Sequence, residues 1–330
     1  MKHVFIINSQ SAEKKRKRLT EEIHRLFPED EAVIEVTDHP GHAKQLARQY
    51  ASEGTMLRIY ACGGDGTLHE VVNGVLGFSH VQVAVIPIGT GNDFIKAFPS
   101  YRSQDFLCLE NYQDAKLAKS DVLMVDEEAS INTVSAGLDV KVAYHVDKFK
   151  QLPFAHGVFP YFLGLLVSMA GEISEDLIVE IDGRREAFSD YLFVVAGNGR
   201  CYGGGYCPAP KARVDDGWFD YSLIRKVSRA KIITLSGKYK KGTHLAYKEF
   251  VRDGRAKTMR IWTGGKRIRL NLDGELYETS DSLITLAEQK IHLALPNPRS
   301  GASRSAEDLP TVERLTKVTD KKTEKQSCGR

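Results

Sequence analysis

The residues CGGDGTLHE, at positions 62–70, place a single carboxylate among three glycines directly after an apolar segment. Glycine costs conformational entropy on folding, so three of them at one joint need a physical reason. Main-chain N–H groups at the start of a helix, with no side chains in the way, can hold phosphate oxygens. The joint therefore predicts a phosphate-binding loop with an acid beside it, formed by Gly63, Gly64, Asp65, Gly66 and Thr67.

Two further polar joints follow apolar segments: GTGND at 89–93 and NSQSA at 8–12. The glycine pattern is not the dinucleotide fingerprint, because the third glycine of GxGxxG would fall at His69. The sequence also contains no GxxxxGK[ST] motif. Two glycine-rich joints at successive strand ends therefore predict a nucleotide site of another design.

Apolar strands and amphipathic helices alternate through the first part of the chain. Strands are predicted at 3–8, 32–37, 56–62 and 81–87, and helices at 12–27, 41–54 and 67–77. This alternation with short joints is typical of a parallel sheet covered by helices. Since open α/β sheets bind ligands at the carboxyl ends of their strands, we expect the three polar joints at one edge.

The pattern changes near Ala115, where closely spaced strands with Gly and Asp turns begin. Such spacing is typical of a β-sandwich or a barrel. The predicted organisation is an α/β domain at 1–122 followed by a mostly antiparallel β-sandwich domain at 123–290. Residues 301–330 are polar and charged, and we expect a disordered tail there.

Composition and charge are those of a globular protein. The chain has 330 residues, 42% of them hydrophobic and 27% charged, with a net charge of +3. Residues 297–330 hold eight basic and five acidic residues, so the rest of the chain is neutral and we expect no nucleic-acid partner. The five cysteines form no CxxC pair, and reduced thiols in a cytoplasmic protein are expected.

Two segments bear on membrane contact. Residues 225–269 hold fifteen Lys or Arg against two acids, so they could face an anionic bilayer or nucleotide phosphates, or form a solvated basic face. Residues 151–171 carry no charged side chain. Their continuous apolar part, 159–170, is shorter than the roughly 20 residues that span a bilayer, which favours a buried or interfacial helix.

The segments GGDGTLHEVVNG at 63–74 and PIGTGNDF at 87–94 resemble the diacylglycerol kinase catalytic-domain family, especially its soluble bacterial lipid kinases. The resemblance continues through SAGLDV at 135–140, residues 197–220 and LDGELYE at 272–278, and takes in about residues 3–296. It implies an ATP-binding α/β domain of the NAD-kinase and phosphofructokinase type, a β-sandwich domain, and a lipid substrate in the cleft between them. It also implies that about 291–300 return to the first domain.

The resemblance implies roles for individual residues. Asp65 matches the acid beside Mg–ATP; the alternative is a turn carboxylate that binds local N–H groups. Glu275 matches the general base that takes the proton from the lipid hydroxyl; the alternative is a residue that merely follows the Asp273-Gly274 hairpin turn. The residues on the nucleotide side are Asn8, Thr37, Gly63, Gly64, Asp65, Gly66, Thr67, Thr90, Asn92 and Asp93. For Asn92 and Asp93, a helix cap is an alternative compatible with ligand contact.

A structural Mg²⁺ site is implied at KARVDDGWFD, residues 211–220. Its ligands would be the Asp216 carboxylate and the backbone carbonyls of Arg213 and Trp218, because hard cations take oxygen ligands. A tight Asp-Gly turn is the alternative. Asp121 matches an acid that the family links through water towards the catalytic metal, and its alternative is a buried Asp at a strand start.

These expectations describe a cytoplasmic, peripherally membrane-associated kinase that uses ATP and Mg²⁺ to phosphorylate a lipid hydroxyl, with diacylglycerol as the favoured acceptor. The alternative enzymes are kinases of a sphingoid base or similar lipid, or of a soluble substrate such as NAD, because NAD kinases also carry GGDGT. A non-catalytic nucleotide- or lipid-binding protein is the alternative of another class. This non-catalytic alternative is supported by Asn8-Ser9, which stands where the family has Asn-Pro, because the absence of proline makes the first joint less rigid. The sequence leaves oligomeric state open, a homodimer included.

Overall fold

The computed structural model describes residues 1–150 and 167–298, and side chains at 146–150 are not described. The predicted disordered tail at 301–330 therefore lies outside the described residues. So does most of the predicted apolar helix at 159–170, of which only residues 167–170 are described.

The first domain is a six-stranded sheet covered by helices. Its strands are β1 (Lys2–Ile7), β2 (Ala32–Val36), β3 (Leu57–Cys62), β4 (Val81–Ile86), β5 (Lys116–Ser120) and β19 (Ile291–Leu295). Its helices are α1 (Glu13–Leu26), α2 (His42–Ala51), α3 (Asp65–Val75) and α4 (Ser103–Leu107). The strand order is β2-β1-β3-β4-β19-β5, and every neighbouring pair is parallel except β19 with β5.

Both faces of this sheet are buried, which explains the continuous apolar runs of its central strands. On one face, Val4, Ile6 and Ile59 pack in a cluster with residues of α2 and α3. On the other face, Phe5 and Tyr60 stack with ring centroids 4.1 Å apart and pack towards α1. The two clusters fix the strands so that the joints after β1, β3 and β4 open at one edge.

The second domain is a sandwich of two antiparallel sheets. Its strands are β6 (Leu123–Val125), β7 (Glu128–Ser130), β8 (Thr133–Gly137), β9 (Glu175–Asp176), β10 (Ile178–Ile181), β11 (Arg184–Arg185), β12 (Asp190–Gly197), β13 (Phe219–Arg225), β14 (Val251–Ala256), β15 (Met259–Trp262), β16 (Ile268–Leu272), β17 (Glu275–Thr279) and β18 (Asp281–Leu286). One sheet has the order β11-β10-β15-β18-β6-β7, and the other β14-β13-β12-β8-β16-β17, with β9 beside β12. Helices α5 (Leu138–Lys150) and α6 (Arg229–Lys240) complete the described part of the domain.

The predicted fold class, an α/β domain followed by an antiparallel β-sandwich, is confirmed. The strand β5 lies antiparallel in the first sheet, next to β19, and so falls within the predicted first domain at 1–122, although the run of closely spaced strands was predicted to begin near Ala115. Helices α5 and α6 were not predicted. In α6, Ile232, Leu235 and Tyr239 pack inwards, but the exposed Ile233 and the interior Gly237 weaken the helical pattern in the sequence.

The expectation of reduced thiols is wrong for one pair, since Cys201 and Cys207 form a disulfide. The intervening chain turns back on itself through a bridge between Tyr202 and Tyr206, which brings the two cysteines together. Their spacing in the sequence carried no sign of this turn. Within the described ranges, no helix combines the length and the apolar character that crossing a bilayer requires.

Candidate functional site

The two glycine-rich joints, here called the GGDGT loop (63–67) and the GTGND loop (89–93), pack directly against each other. The Gly89 N–H donates to the Gly63 carbonyl at 2.9 Å. A Cβ on Gly89 would lie 2.4 Å from the Gly64 nitrogen, and one on Gly64 would lie 2.8 Å from the Gly91 carbonyl oxygen. Glycine is therefore needed at 64 and 89 for loop–loop packing, a requirement that the sequence did not reveal.

We expect Gly89→Ala to push the two loops apart, because the added Cβ would overlap backbone atoms that cannot move aside. Overpacking of this kind costs about 1–3 kcal/mol, so the thermal midpoint should fall by several degrees. Calorimetry checks this. The matched control is Gly237→Ala in α6, where no atom lies within 4 Å of the new Cβ and stability should hold or rise. Equal behaviour of the two variants would contradict the packing argument.

The carboxylate of Asp65 joins the same two loops from the side. It accepts hydrogen bonds from the Asp93 N–H, at 2.9 Å to each oxygen, and from the Phe94 N–H at 3.1 Å. Burial, opposed by these bonds and reinforced by the Asp93 and Asp273 carboxylates, raises the pKa of Asp65 to about 6. These contacts match the alternative of a turn carboxylate.

Asp93 is buried, and its side chain binds partners outside the GGDGT loop. Its carboxylate pairs with the Lys96 ammonium and accepts the N–H of Gly204, at 2.7 Å, from the loop closed by the disulfide. The Asn92 amide donates to the Gly89 carbonyl at 3.1 Å. Neither side chain caps the 3-10 helix Phe94–Ala97, whose first N–H groups bind Asp65 instead. Thr90, at the tip of the GTGND loop, is exposed.

The remaining nucleotide-side residues form the rim beside α3. The Asn8 amide donates to the Thr67 hydroxyl at 2.9 Å, and the Thr37 hydroxyl accepts the Ser9 N–H at 3.3 Å. These contacts tie the ends of β1 and β2 to the start of α3. The first N–H of α3, that of Asp65, donates to the Gly91 carbonyl at 3.2 Å. The next two, of Gly66 and Thr67, have no partners within the helix, so they are available to an anion.

Lys15 is a residue at this edge that sequence reasoning missed. It lies in the first turn of α1, and its ammonium donates to the Ile88 carbonyl at 3.1 Å, directly before the GTGND loop. The sequence feature that could have identified Lys15 is its position a few residues after the first polar joint. Its charge places a cation next to both glycine loops.

The hairpin between β16 and β17 brings Glu275 from the sandwich domain to the GGDGT loop. Asp273 and Gly274 form the two-residue turn, with φ of 56° and 113°, and Leu272 pairs with Glu275. The predicted hairpin turn is thus present. A Cβ on Gly66 would lie 3.3 Å from Oε1 of Glu275. The carboxylate therefore approaches a point of the loop where a side chain would obstruct it.

A buried ion pair anchors this hairpin to α3. His69 Nδ1 lies 3.1 Å from Asp273 Oδ2, and the two side chains are 9% and 1% exposed. Asp273 also accepts the Ser130 hydroxyl at 2.7 Å and the N–H groups of residues 131–133 at 2.8–2.9 Å. Burial alone would lower the pKa of His69 and raise that of Asp273. Their mutual contact outweighs burial, so the His69 pKa is raised and the Asp273 pKa lowered.

The structure brings Asp121 to the predicted metal loop, where its carboxylate accepts the Gly217 N–H at 2.8 Å. Basic side chains already pair with the acids here. The Lys290 ammonium lies 2.8 Å from Asp121 and donates to the Asp215 carbonyl, while Arg255 pairs with Asp216. With these ion pairs formed, the carboxylates do not fit Mg²⁺. The ligand role of Arg213, Asp216 and Trp218 stays a prediction.

Comparison with protein families gives two consecutive matches. Residues 2–125 match the diacylglycerol kinase catalytic domain, and residues 132–294 match the YegS C-terminal NAD kinase beta sandwich-like domain. The two matched regions correspond to the α/β domain and the sandwich.

Relatives and a solved structure agree with these matches. The diacylglycerol kinase of Bacillus subtilis (strain 168) is 26% identical over 272 residues, which cover 82% of this chain and 88% of the relative. That of Mycobacterium tuberculosis (strain ATCC 25618 / H37Rv) is 27% identical over 249 residues, 74% of this chain and 78% of the relative. A crystal structure of a diacylglycerol kinase from Bacillus anthracis str. Sterne shares the fold, with a TM-score of 0.62 at 19% identity over 90% of this chain and 97% of that chain. The glycine loops, the sandwich and these matches together place the chain: it belongs to the diacylglycerol kinase catalytic-domain family, of the bacterial lipid-kinase type.

Proposed function

We propose that this chain is an ATP-dependent lipid kinase that transfers the γ-phosphate to a lipid hydroxyl, with diacylglycerol as the favoured acceptor. The observation that carries the proposal is the approach of Glu275, from the sandwich domain, to the bare Gly66 of the GGDGT loop. A phosphate held by that loop would face a carboxylate across the cleft. The names of the relatives favour diacylglycerol over other lipids.

In this proposal the chain acts mainly by position and charge, as phosphoryl transfer requires. The first-turn N–H groups of α3 and the Lys15 ammonium hold the phosphates. Glu275 accepts the proton of the lipid hydroxyl as its oxygen attacks the γ-phosphorus, and ADP leaves. The His69–Asp273 pair fixes the hairpin that presents Glu275.

A divalent metal of the kind kinases use fits beside Asp65 better than at the 211–218 loop. The Asp65 oxygens keep lone pairs beyond their N–H contacts, and the raised pKa of about 6 reflects burial beside other carboxylates. A bound Mg²⁺ would supply charge neutralisation for the phosphates. Asp65 would be its protein ligand.

The acceptor is tested with the purified chain, radiolabelled ATP and three acceptors: diacylglycerol, a sphingoid base and NAD. We expect label in phosphatidic acid with diacylglycerol and at least about tenfold less product with either other acceptor. Phosphorylation of NAD alone would overturn the lipid proposal, and preference for the sphingoid base would replace diacylglycerol as the acceptor. Nucleotide binding without transfer to any acceptor would favour a non-catalytic protein.

Peripheral attachment to an anionic membrane is proposed through α6. In the fold, many basic residues of 225–269 form ion pairs with acids from outside that segment of the sequence, for example Arg260 with Asp281 and Arg269 with Glu278. Helix α6 differs, because Lys238, Lys240 and Lys241 are exposed at its end, close to an exposed isoleucine, Ile233. Arg229 of the same helix donates to the carbonyls of Met169 and Gly171, so α6 lies beside the end of the uncharged segment.

We expect Ile233→Asp to weaken binding to vesicles rich in phosphatidylglycerol about tenfold, because a buried isoleucine is worth about 1.5–3 kcal/mol. The matched control is Leu117→Asp, since Leu117 and Ile233 are both 65% exposed but Leu117 lies on β5. Sedimentation with vesicles at low and high salt checks this, and wild-type binding should weaken as salt rises. If vesicle binding changes neither with salt nor with the Ile233 substitution, α6 is not the membrane contact.

A further inference from the structure

Three side chains that no part of the proposed reaction uses converge at the end of β2. Asp38, His39 and His42 each offer one ligand atom, and these atoms all lie within 4.8 Å of one another. His42 Nδ1 is 2.7 Å and His39 Nε2 is 3.3 Å from Asp38 Oδ1. Ligand atoms of a tetrahedral zinc-type ion lie roughly 3.3 Å apart, given metal–ligand distances of about 2.0–2.2 Å.

We propose that Asp38, His39 and His42 form a binding site for one divalent transition-metal cation of the zinc type. Two imidazole nitrogens and one carboxylate oxygen are a donor set that such ions prefer over Mg²⁺, which takes oxygen ligands. The proposal rests on the convergence of the three side chains and on the hydrogen bonds around them.

The hydrogen bonds of His39 fix which of its nitrogens can bind a metal. Its Nδ1 lies 2.8 Å from the Pro40 carbonyl oxygen, which can only accept, so Nδ1 carries the hydrogen. In the neutral ring this leaves the Nε2 lone pair, which faces Asp38. A histidine that donates its second nitrogen to a carbonyl in this way is the usual arrangement at a metal.

The surroundings of His42 point to the same conclusion. Its Nδ1 faces the Asp38 carboxylate at 2.7 Å and lies 3.2 Å from the Asp38 N–H. A separation of 2.7 Å is that of a hydrogen bond, in which Nδ1–H donates to the Asp38 carboxylate; a bound cation would replace that hydrogen and take both atoms as ligands. The His39 and His42 rings are nearly parallel with centroids 4.9 Å apart, and both present a nitrogen to the Asp38 carboxylate.

The backbone that carries these ligands is held from α3. The Glu70 carboxylate accepts the N–H groups of Gly41 and Ala43 at 2.8 and 2.9 Å, on either side of His42. The turn is therefore fixed, while the ligand side chains remain open to solvent. Three protein ligands leave a coordination position for water or another oxygen ligand. Thr37 directly precedes Asp38 in the chain, and its hydroxyl accepts the Ser9 N–H of the joint after β1. The open coordination position therefore lies near the rim of the candidate nucleotide site.

The site is tested by titrating the purified chain with Zn²⁺ alone, in competition with a chromophoric chelator, and with Co²⁺ alone, followed by visible absorption. We expect one Zn²⁺ per chain, a Co²⁺ spectrum with nitrogen ligands, and loss of at least about 100-fold in affinity in the His39→Gln/His42→Gln double variant. Two control variants, the double substitution Cys108→Ser/Cys328→Ser and the single substitution His24→Gln, should bind Zn²⁺ as the wild type does. Excess Mg²⁺ should not displace the bound ion. Unchanged binding in the double variant, or a wild-type chain that binds no Zn²⁺, would overturn the proposal.

Discussion

Glu275→Gln is expected to lower kcat by about 100-fold or more and to leave the Kd for ATP within about twofold. A positioned general base contributes about 10²–10⁴-fold to a proton transfer, and glutamine cannot take the proton. The amide has the same shape, so the approach to Gly66 is retained. In the proposed binding mode the nucleotide contacts come from the first domain, so the substitution should leave them untouched. Steady-state kinetics and ATP titration on one preparation measure both quantities.

The matched control for this variant is Glu278→Gln, on the same strand. Glu278 pairs with Arg269 at 2.9 Å on the exposed side, away from the GGDGT loop. Its kcat should stay near that of the wild type, since an exposed ion pair is worth at most about 1 kcal/mol. A Glu275→Gln enzyme with undiminished kcat would remove Glu275 from the mechanism. A parallel loss of ATP affinity would assign it to binding.

Asp273→Asn is expected to destabilise the fold by about 3 kcal/mol and to reduce kcat about tenfold or more. Breaking a buried ion pair by removing one charge costs about 3–5 kcal/mol, and the amide would also turn a donor towards backbone N–H groups. Since Gly274 and Glu275 follow directly, the base would lose its fixed position. Urea unfolding and kinetics test this beside Asp281→Asn, whose pairing with Arg260 is exposed and should cost at most about 1 kcal/mol.

The pH dependence of this pair follows from its two pKa shifts. The raised pKa of His69 gives stability that is complete below its unfolded pKa of about 6.5 and is lost as pH rises through the folded value. The lowered pKa of Asp273 gives stability that is present above about 3.9 and is lost as pH falls through the folded value. The destabilisation by Asp273→Asn should therefore be largest between about pH 4 and 6.5. A difference independent of pH up to 10 would contradict the ion pair.

The sequence located the site better than it explained the residues in it. Strand–helix periodicity and the glycine joints predicted which edge of the sheet carries the loops, because both depend on local pattern. Loop–loop packing at Gly64 and Gly89 could not be predicted, since it depends on how two distant joints meet. The role of His69 could not be predicted for the same reason, because its partner Asp273 lies in the other domain. Asp65 and Asp93 were recognised, but their contacts with backbone N–H groups appear only in the fold.

The distribution of charge along the sequence was also an incomplete guide to the charge on the surface of the fold. The excess of fifteen basic residues in 225–269 is real in the sequence, yet the fold brings Asp216, Asp281 and Glu278 to several of them. Ion pairing between distant segments cannot be counted from a linear window. Lys238, Lys240 and Lys241 are exposed at the end of α6, an element that its weak periodicity concealed.

The central claim is that ATP lies with its phosphates against the two glycine loops and its terminal phosphate towards Glu275. A crystal structure of the chain with Mg²⁺ and a non-hydrolysable ATP analogue tests this directly. The account predicts phosphate oxygens at the first-turn N–H groups of α3 and the Glu275 carboxylate on the far side of the γ-phosphate. A nucleotide bound away from these loops, or a γ-phosphate that faces away from Glu275, would contradict it.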